Sequence, residues 1–113
     1  SGSRVLVMGL TFKENCPDIR NTKVVDIVDE LKAYEIHVDI MDPWCDPFEA
    51  ANEYGLVVSK AAEEGMYDAV LVAVAHDEFK EMGIKAIQSF GKENFVLYDL
   101  KHLLPKDQVD MRL

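Results

Sequence analysis

The sequence predicts an α/β fold built on one parallel sheet, and three observations lead to that class. Short apolar runs alternate five times with helical or turn-bounded segments, which is the order of βαβ units. Residues 69–75 are apolar throughout, as in a strand with both faces covered. Right-handed crossovers then favour five strands in the order 3-2-1-4-5. We therefore expect a Rossmann-like three-layer sandwich, with helices on both faces of a five-stranded sheet.

The chain opens with a strand, a long loop and a helix. Residues 5–8 are apolar and have the length of a buried strand. A helix ending near Tyr34 is predicted by apolar residues at helical spacing: Val24, Ile27, Val28 and Leu31. Between them lies a loop of roughly a dozen residues that carries Lys13 and Arg20; loops this long in small domains are usually functional or disordered. Because ligands bind at the carboxyl ends of parallel strands, we expect this loop to carry the site.

The second part of the chain predicts two short strands and two short helices. Apolar and polar residues alternate over 36–41, which indicates a strand with one less-buried face. Asp46, followed by proline and then an acidic residue, is typical of a helix start, and Gly55 is placed to end that helix. A minimal strand over 56–58 follows. A serine cap and a later glycine then predict a short helix over 59–64.

The last part of the chain continues the alternation. The apolar run over 69–75 is the strongest strand signal in the sequence. Ile84 and Ile87 line one face of the helix that follows, and a glycine ends it. Residues 95–98 are the fifth predicted strand, and 101–113 form a tail interrupted by a proline. In this arrangement the ends of the first and fourth strands meet at the topological switch point.

Size and composition indicate one soluble domain. The chain has 113 residues, of which 1–3 are interpreted as a cloning remnant and 4–113 as the domain. No apolar run approaches the roughly 18 residues that a membrane span needs, and no signal-peptide pattern is present. The two cysteines, Cys16 and Cys45, have no metal-site spacing and are interpreted as free thiols in a reducing compartment. We therefore expect a cytoplasmic protein without a metal site.

The charge distribution points to one edge of the fold. The net charge of −9 argues against nucleic acid and membranes as partners. Only residues 4–23 and 101–113 are net positive, and these are the first strand with its loop and the tail. With the first strand central, the loop and the tail can meet beside the site. Solvated surface charge is the alternative explanation for any single lysine.

The first loop lacks the glycines that a dinucleotide requires. A dinucleotide-binding unit has Gly-x-Gly-x-x-Gly after its first strand, so that the backbone can approach the pyrophosphate. Here Gly9 is followed by Leu-Thr-Phe-Lys, which predicts that this domain does not bind NAD by itself. Phe12 can instead pack on a base or a neighbouring domain, and Lys13 can meet a phosphate or a sugar hydroxyl. Phe12 in the core and Lys13 in solvent remain open as alternatives.

His76 follows the strongest predicted strand and admits two interpretations. A histidine at that place suggests a general base. The only carboxylates that the sequence places beside it are Asp77 and Glu78, which point elsewhere at a helix start. A structural role, such as fixing a loop, is therefore the preferred interpretation.

The first loop also carries a family resemblance. Gly9-Leu10-Thr11-Phe12-Lys13, then Asp18-Ile19-Arg20, then a helix rich in valine and aspartate resembles the C-terminal domain of the nucleotide-sugar 6-dehydrogenases. The family pattern is roughly Gly-x-x-Phe-Lys-x-x-Thr-x-Asp-x-Arg, and Cys16 stands where many members have threonine. The sequence around Cys16 is most similar to that of the branch that acts on UDP-N-acetylhexosamines. The resemblance extends over nearly the whole chain after Ser3.

The resemblance implies a set of substrate contacts. Phe12 and Lys13 match the family pair that lies in the nucleotide-sugar site, and Arg20 matches the arginine of the motif. Asp18 matches the aspartate, for which a loop-positioning role is implied. Lys101 lies where the UDP-glucose branch has the arginine of Asp-Gly-Arg, so a charge contact is expected without the two-pronged arginine geometry. These four contacts, Phe12, Lys13, Arg20 and Lys101, are the predicted substrate-binding residues.

The resemblance also implies a larger enzyme. Family members oxidise the C6 alcohol of a UDP-sugar to a carboxylate with NAD, for surface polysaccharide synthesis. The nucleophilic cysteine and the NAD site lie upstream of this domain, so no catalytic residue is expected here and Cys16 is not that nucleophile. The implied partners are a UDP-sugar, the enzyme's own N-terminal NAD-binding and central domains, and further copies in a homo-oligomer. The isolated domain is expected to be inactive. The alternative is a stand-alone Rossmann-like nucleotide-binding or regulatory module without catalysis.

Overall fold

A computed structural model describes residues 2–112, which form one six-stranded parallel sheet in the order β3-β2-β1-β4-β5-β6. The strands are β1 Arg4–Met8, β2 His37–Met41, β3 Val58–Ser59, β4 Tyr67–Val72, β5 Gly91–Asp99 and β6 Met111–Arg112. The helices are α1 Val24–Ala33, α2 Pro47–Tyr54 and α3 Asp77–Ser89, with a 3-10 turn at Lys106–Gln108. The predicted order of the first five strands is confirmed. The predicted tail adds the sixth strand, which pairs with β5.

The central strand β1 divides the core into two layers. Its alternate side chains point to opposite faces of the sheet, as in every strand. Val5 and Val7 pack on the side of α1 and α2, together with Val24 and Val28 of α1. Leu6 and Met8 pack on the other side with Phe79 and Ile87 of α3. The prediction of helices on both faces is therefore confirmed.

The ends of α2 follow the sequence signals. The Asp46 side chain accepts a hydrogen bond of 2.9 Å from the backbone N–H of Phe48, which satisfies a free donor of the first turn. Gly55 closes the helix in the left-handed conformation, with φ of 66°. The cap and the stop that the sequence predicted for this helix are both confirmed.

The predicted helix over 59–64 is wrong. Ser59 belongs to β3 and its carbonyl accepts the Asp42 N–H, so Ser59 does not start a helix. The chain must cross from β3 to β4, three strand positions or about 14 Å apart, while also returning to the amino edge of the sheet. Residues 60–66 extended can reach about 23 Å, whereas the same seven residues as a helix would span only about 10 Å. The connection is therefore not helical.

The fourth strand is covered on one face only, contrary to the prediction from its apolar run. Its alternate residues Val70 and Val72 are fully buried against the α3 side. On the other side Ala69 and Leu71 are half-buried and border an apolar groove of about 320 Å³ that also includes Val96. The reason is that α1 and α2 pack mainly over β1 to β3, and within residues 2–112 no further helix lies over β4 and β5. None of the helices in this range is long and apolar enough to cross a membrane.

Candidate functional site

A cleft of about 290 Å³ lies at the carboxyl edge of the sheet, beside the ends of β1 and β4. This is the switch point of the sheet, because the chain continues from β1 to β2 on one side while β4 lies on the other. The cleft is bordered by the loop between β1 and α1, the start of α1, and the segments after β4 and β5: Thr11, Phe12, Lys13, Glu14, Thr22, Lys23, Val24, Ile27, Ala73, Val74, Leu100 and Lys101.

The lining of this cleft combines cations with an exposed aromatic ring. Lys13, Lys23 and Lys101 border it, against one carboxylate, Glu14. The Phe12 side chain is 54% exposed, so it is not the core residue that the alternative interpretation supposed. The two net-positive segments of the sequence therefore meet at one place. Lysine ammonium groups suit phosphate oxygens, and an exposed ring suits a nucleobase or another apolar surface.

The loop that carries Phe12 and Lys13 is held at several points by its own contacts. The Phe12 N–H donates 2.7 Å to the carbonyl of Asp18, which closes the loop on itself. The Thr22 hydroxyl donates 2.6 Å to the Leu10 carbonyl and accepts the Val24 N–H at the start of α1. Ile19 is fully buried below the loop. These contacts make it a compact, ordered loop of the kind that carries binding residues.

A buried carboxylate, Asp42, anchors the start of this loop. It follows β2 and its side chain is fully buried. One oxygen, Oδ2, accepts the N–H groups of Leu10 at 2.6 Å and Thr11 at 3.1 Å. The other oxygen, Oδ1, accepts the N–H groups of Trp44 and Cys45 at 2.8 and 3.1 Å. Burial raises the pKa of Asp42, but hydrogen bonds from His76 and from these amides outweigh it, so the pKa lies below the ordinary 3.8.

His76 is the partner of that carboxylate. Its Nε2 lies 3.0 Å from Asp42 Oδ2 and 3.2 Å from the Thr11 hydroxyl oxygen. Its Nδ1 accepts the backbone N–H of Asn15 at 3.0 Å. The imidazole is fully buried, so it does not line the cleft and cannot reach a ligand there as a base. The loop-fixing interpretation from the sequence agrees with this geometry, although the partner carboxylate is Asp42 and not Asp77 or Glu78.

Arg20 and Asp18 lie apart from the cleft. The Arg20 Nε and Nη2 atoms donate to the two carboxylate oxygens of Asp18 at 3.0 and 3.1 Å, and the Arg20 N–H donates to the same group. The Arg20 side chain is 82% exposed and borders a separate depression with Glu49 and Glu53. The guanidinium holds the pKa of Asp18 below its ordinary value. The structure thus brings Phe12, Lys13 and Lys101 together and leaves Arg20 outside.

Lys101 is placed by a second buried carboxylate. Asp99, the last residue of β5, is fully buried, and its oxygens accept the N–H groups of Lys101 at 3.1 Å and Leu104 at 2.8 Å. These bonds shape the turn after β5 and fix the backbone of Lys101 at the rim of the cleft. The predicted contact residue therefore occupies the rim although it departs from the arginine of the family motif.

The start of α1 does not fit a dinucleotide pyrophosphate. A pyrophosphate in a Rossmann unit lies on the first N–H groups of a helix that follows the first strand directly. Here fifteen residues separate β1 from α1, and the Thr22 hydroxyl accepts the N–H of the first residue of α1, Val24. The first N–H of α1 is thus satisfied by a side chain of the loop itself.

A larger cavity, about 570 Å³, lies elsewhere. It lies beside β2 and reaches the amino edge of the sheet at His37 and Tyr67. One of its charged groups, Asp39, is already paired with the Arg4 guanidinium, the His37 imidazole and the Tyr67 hydroxyl at 2.6 to 3.0 Å. Ligand sites of parallel sheets lie at the other edge. The smaller, cationic cleft is therefore the stronger candidate.

The two cysteines are not part of the cleft lining. Both are unpaired in the described part of the chain. Cys45 is fully buried, and burial raises the pKa of its thiol to about 11, so it stays protonated at neutral pH. Cys16 is partly exposed, on the loop beyond Lys13. Within residues 2–112 no three side chains of the metal-binding types are grouped closely enough to hold a metal ion.

Comparison with known proteins identifies the domain. Residues 6–106 match the sequence model of the UDP-glucose/GDP-mannose dehydrogenase family, UDP binding domain. The chain belongs to this family. The resemblance found in the Gly9–Lys13 and Asp18–Arg20 motifs is thereby confirmed.

Relatives of this UDP binding domain are much longer than the chain. It is 57% identical over 112 residues to the UDP-N-acetyl-D-glucosamine 6-dehydrogenase of Pseudomonas aeruginosa and 54% identical to that of Salmonella typhi. Each match covers 99% of this chain and 26% of the relative. A solved structure of the UDP-N-acetyl-mannosamine dehydrogenase Cap5O from S. aureus superposes with a TM-score of 0.72 at 25% identity, again over 99% of this chain and 26% of that one. The chain thus spans about a quarter of its relatives' length.

Proposed function

We propose that this chain is the UDP-sugar-binding part of a longer NAD-dependent dehydrogenase that oxidises the C6 alcohol of a UDP-N-acetylhexosamine or UDP-hexose to a carboxylate. The products of such enzymes are acidic sugars for surface polysaccharides. The observation that carries the proposal is the cleft at the switch point, where three lysines and an exposed phenylalanine border one space. The two relatives above 50% identity are both named UDP-N-acetyl-D-glucosamine 6-dehydrogenases, which supports the N-acetylhexosamine as substrate.

In this proposal, different residues of the cleft contact different parts of the ligand. Lys13 and Lys101 lie on different segments at the rim and place ammonium groups near the diphosphate or a sugar hydroxyl. Phe12 packs on the uracil or on the neighbouring domain. Arg20 and Asp18, which lie outside the cleft, act through the loop or meet another domain. Their pairing in full solvent adds little stability, so positioning is the role we assign to Asp18.

The chemical step belongs to the rest of the longer protein. The loop after β1 lacks the direct strand-to-helix turn on which a Rossmann unit holds a dinucleotide, and Cys45 is buried with a raised pKa. We propose that the NAD site, the nucleophilic cysteine and the oligomer contacts are carried by the N-terminal and central domains. The full-length reading frame tests this directly. An upstream Gly-x-Gly-x-x-Gly after a predicted strand would support the dehydrogenase, whereas its absence would favour a stand-alone nucleotide-binding module.

Replacing Lys13 with alanine is expected to weaken UDP binding by the isolated chain about tenfold or more, because a charged hydrogen bond contributes roughly 1.5–3 kcal/mol. The wild-type affinity itself is expected to be weak, on the order of millimolar, since the other domains are missing. Isothermal titration calorimetry with UDP measures both values.

Lys32→Ala is the matched control for this change. Lys32 lies in the last turn of α1, beside the cavity at the amino edge of the sheet. The substitution Lys32→Ala removes the same positive charge at a distance from the cleft and should leave the UDP affinity unchanged. Equal effects of the two variants would show that only net charge matters and would contradict the proposed site.

A further inference from the structure

The buried Asp42–His76 pair lies directly beneath the loop that carries Phe12 and Lys13, and its contacts with that loop have so far been given no part in ligand binding. Both side chains are fully buried, with Asp42 Oδ2 and His76 Nε2 3.0 Å apart. Burying a carboxylate costs free energy unless its oxygens accept enough hydrogen bonds to compensate. The presence of Asp42 and His76 in the interior therefore calls for a functional explanation. We infer that Asp42 and His76 are positioning residues that fix the backbone of residues 10–15 and thereby aim Phe12 and Lys13 into the cleft. This inference rests on the proposed UDP site.

The hydrogen bonds assign one tautomer to His76. The backbone N–H of Asn15 can only donate, so the Nδ1 atom that lies 3.0 Å from it must be the unprotonated acceptor. The ring proton of the neutral imidazole therefore sits on Nε2, facing Asp42 Oδ2 and the Thr11 hydroxyl oxygen. His76 thus accepts a hydrogen bond from Asn15, at the end of the loop segment, and presents its donor to the Thr11 hydroxyl, at the start of that segment. Its two nitrogens connect the two ends of the Thr11–Asn15 segment.

The contacts from this pair to Lys13 are continuous. Asp42 Oδ2 accepts the N–H groups of Leu10 and Thr11 at the entrance to the loop. The Thr11 hydroxyl lies beside His76 Nε2 and donates 3.0 Å to the backbone carbonyl of Lys13. Beyond Lys13, the Asn15 N–H is fixed by His76 Nδ1. The Lys13 backbone is therefore held on both sides by groups that depend on one imidazole.

The same imidazole ties the loop to helix α3. Asn15 adopts a left-handed conformation, with φ of 55°, which asparagine tolerates better than most residues. In that conformation its side-chain oxygen accepts the N–H of Asp77, the first residue of α3. His76 immediately precedes this helix, so loop and helix start hold each other in place. Freezing a binding loop in advance lowers the entropic cost of binding, which is the expected benefit of the arrangement.

Two substitutions separate the two nitrogens of His76. His76→Gln can place an amide N–H near the Nε2 position, so it keeps a donor for Asp42 and loses the acceptor for Asn15. His76→Asn can place an oxygen near the Nδ1 position, so it keeps the acceptor and loses the donor. In ¹⁵N NMR spectra without ligand, we expect His76→Gln to shift the amides of residues 11–15 and to speed hydrogen exchange at Asn15. We expect UDP binding to weaken roughly tenfold in both variants because the loop is no longer preorganised.

His37→Gln is the control, because His37 also pairs with an aspartate, Asp39, but lies exposed at the opposite edge of the sheet. It should change neither the loop amides nor the UDP affinity. A folded His76→Gln variant with unchanged loop amides would overturn the inference. The ¹⁵N chemical shifts of the two ring nitrogens of wild-type His76 give a second test that does not require any variant to fold. A proton on Nε2 supports the inference, and a proton on Nδ1 contradicts it. Because these spectra need no UDP, they remain decisive if UDP fails to bind, an outcome that would refute only the proposed function.

Discussion

Replacing Asp42 with asparagine is expected to lower the free energy of unfolding by about 3–5 kcal/mol, because each buried donor left without its acceptor costs roughly 1–3 kcal/mol and at least two are affected. Four backbone N–H groups and His76 Nε2 surround the two carboxylate oxygens. An amide presents one oxygen and one N–H₂ group to the same surroundings, so at least two buried donors lose their acceptor. Urea unfolding followed by circular dichroism measures the difference.

Asp68→Asn is the control for this substitution. The Asp68 carboxylate is partly exposed, accepts the Arg4 N–H at 2.8 Å and pairs with Lys92 at 3.2 Å. An asparagine oxygen can keep the first bond, and an exposed ion pair contributes about 1 kcal/mol at most. A cost for Asp42→Asn as small as that for Asp68→Asn would mean that the buried network is not what holds the loop.

The destabilisation by Asp42→Asn should also depend on pH. The pKa of Asp42 in the folded chain lies below the ordinary 3.8, so its ionised form stabilises the fold fully above that pH. The contribution is lost as the pH falls through the still lower pKa of the folded state. The gap between wild type and variant should therefore be constant near neutral pH and shrink only below about pH 4.

Replacing Gly9 with alanine is expected to cost about 3 kcal/mol or more, because strain and overlap add at one position. Gly9 follows β1 with φ of 103°, a conformation that residues with a side chain rarely adopt. A methyl group there would lie 2.5 Å from the Val74 Cβ and 2.9 Å from the Val74 backbone nitrogen. Val74 sits in the turn that leaves β4, so the overlap would separate the two central strands at the cleft. Urea unfolding is again the measurement.

Gly65→Ala distinguishes strain from overlap. Gly65 also has a positive φ, 68°, but no heavy atom lies within 4 Å of the position of an added Cβ. It should cost about 1 kcal/mol, the usual penalty for a left-handed alanine. If Gly9→Ala and Gly65→Ala cost the same, the close approach of the loop to β4 contributes nothing to stability.

The sequence predicted the order of five strands because alternation and handedness are local or general properties. Apolar periodicity placed β1, β2 and β4, and the Asp46 and Gly55 signals placed the ends of α2. The helix expected over 59–64 failed because its local signals were sound but the distance between β3 and β4 was too great for a helix. Distance across a sheet is a property of the whole topology, and no local pattern contains it.

The sequence predicted only part of the site, because contacts between distant segments leave no local pattern. Phe12, Lys13 and Lys101 were identified from a motif and from charge, and they border one cleft. Lys23, which shares the cleft, and Asp42, which holds the loop, were missed. The sequence analysis assigned no role to Asp42, which directly follows the strand predicted over 36–41, because its partner His76 lies 34 residues away. The sequence does contain a signal for this pair: an aspartate and a histidine each follow a predicted parallel strand. The carboxyl ends of parallel strands meet at one edge of the sheet, so the two side chains could have been expected to lie close together.

The central claim is that a UDP group binds in the cleft formed by the Phe12–Lys13 loop and the turn at Lys101. The most direct measurement is a ¹⁵N NMR titration of this chain with UDP to millimolar concentration. The account predicts saturable shifts of the amides of Phe12, Lys13, Leu100 and Lys101, with little change at the amino edge of the sheet. Shifts confined to the cavity beside His37 and Tyr67, or no shifts in the loop at all, would contradict it.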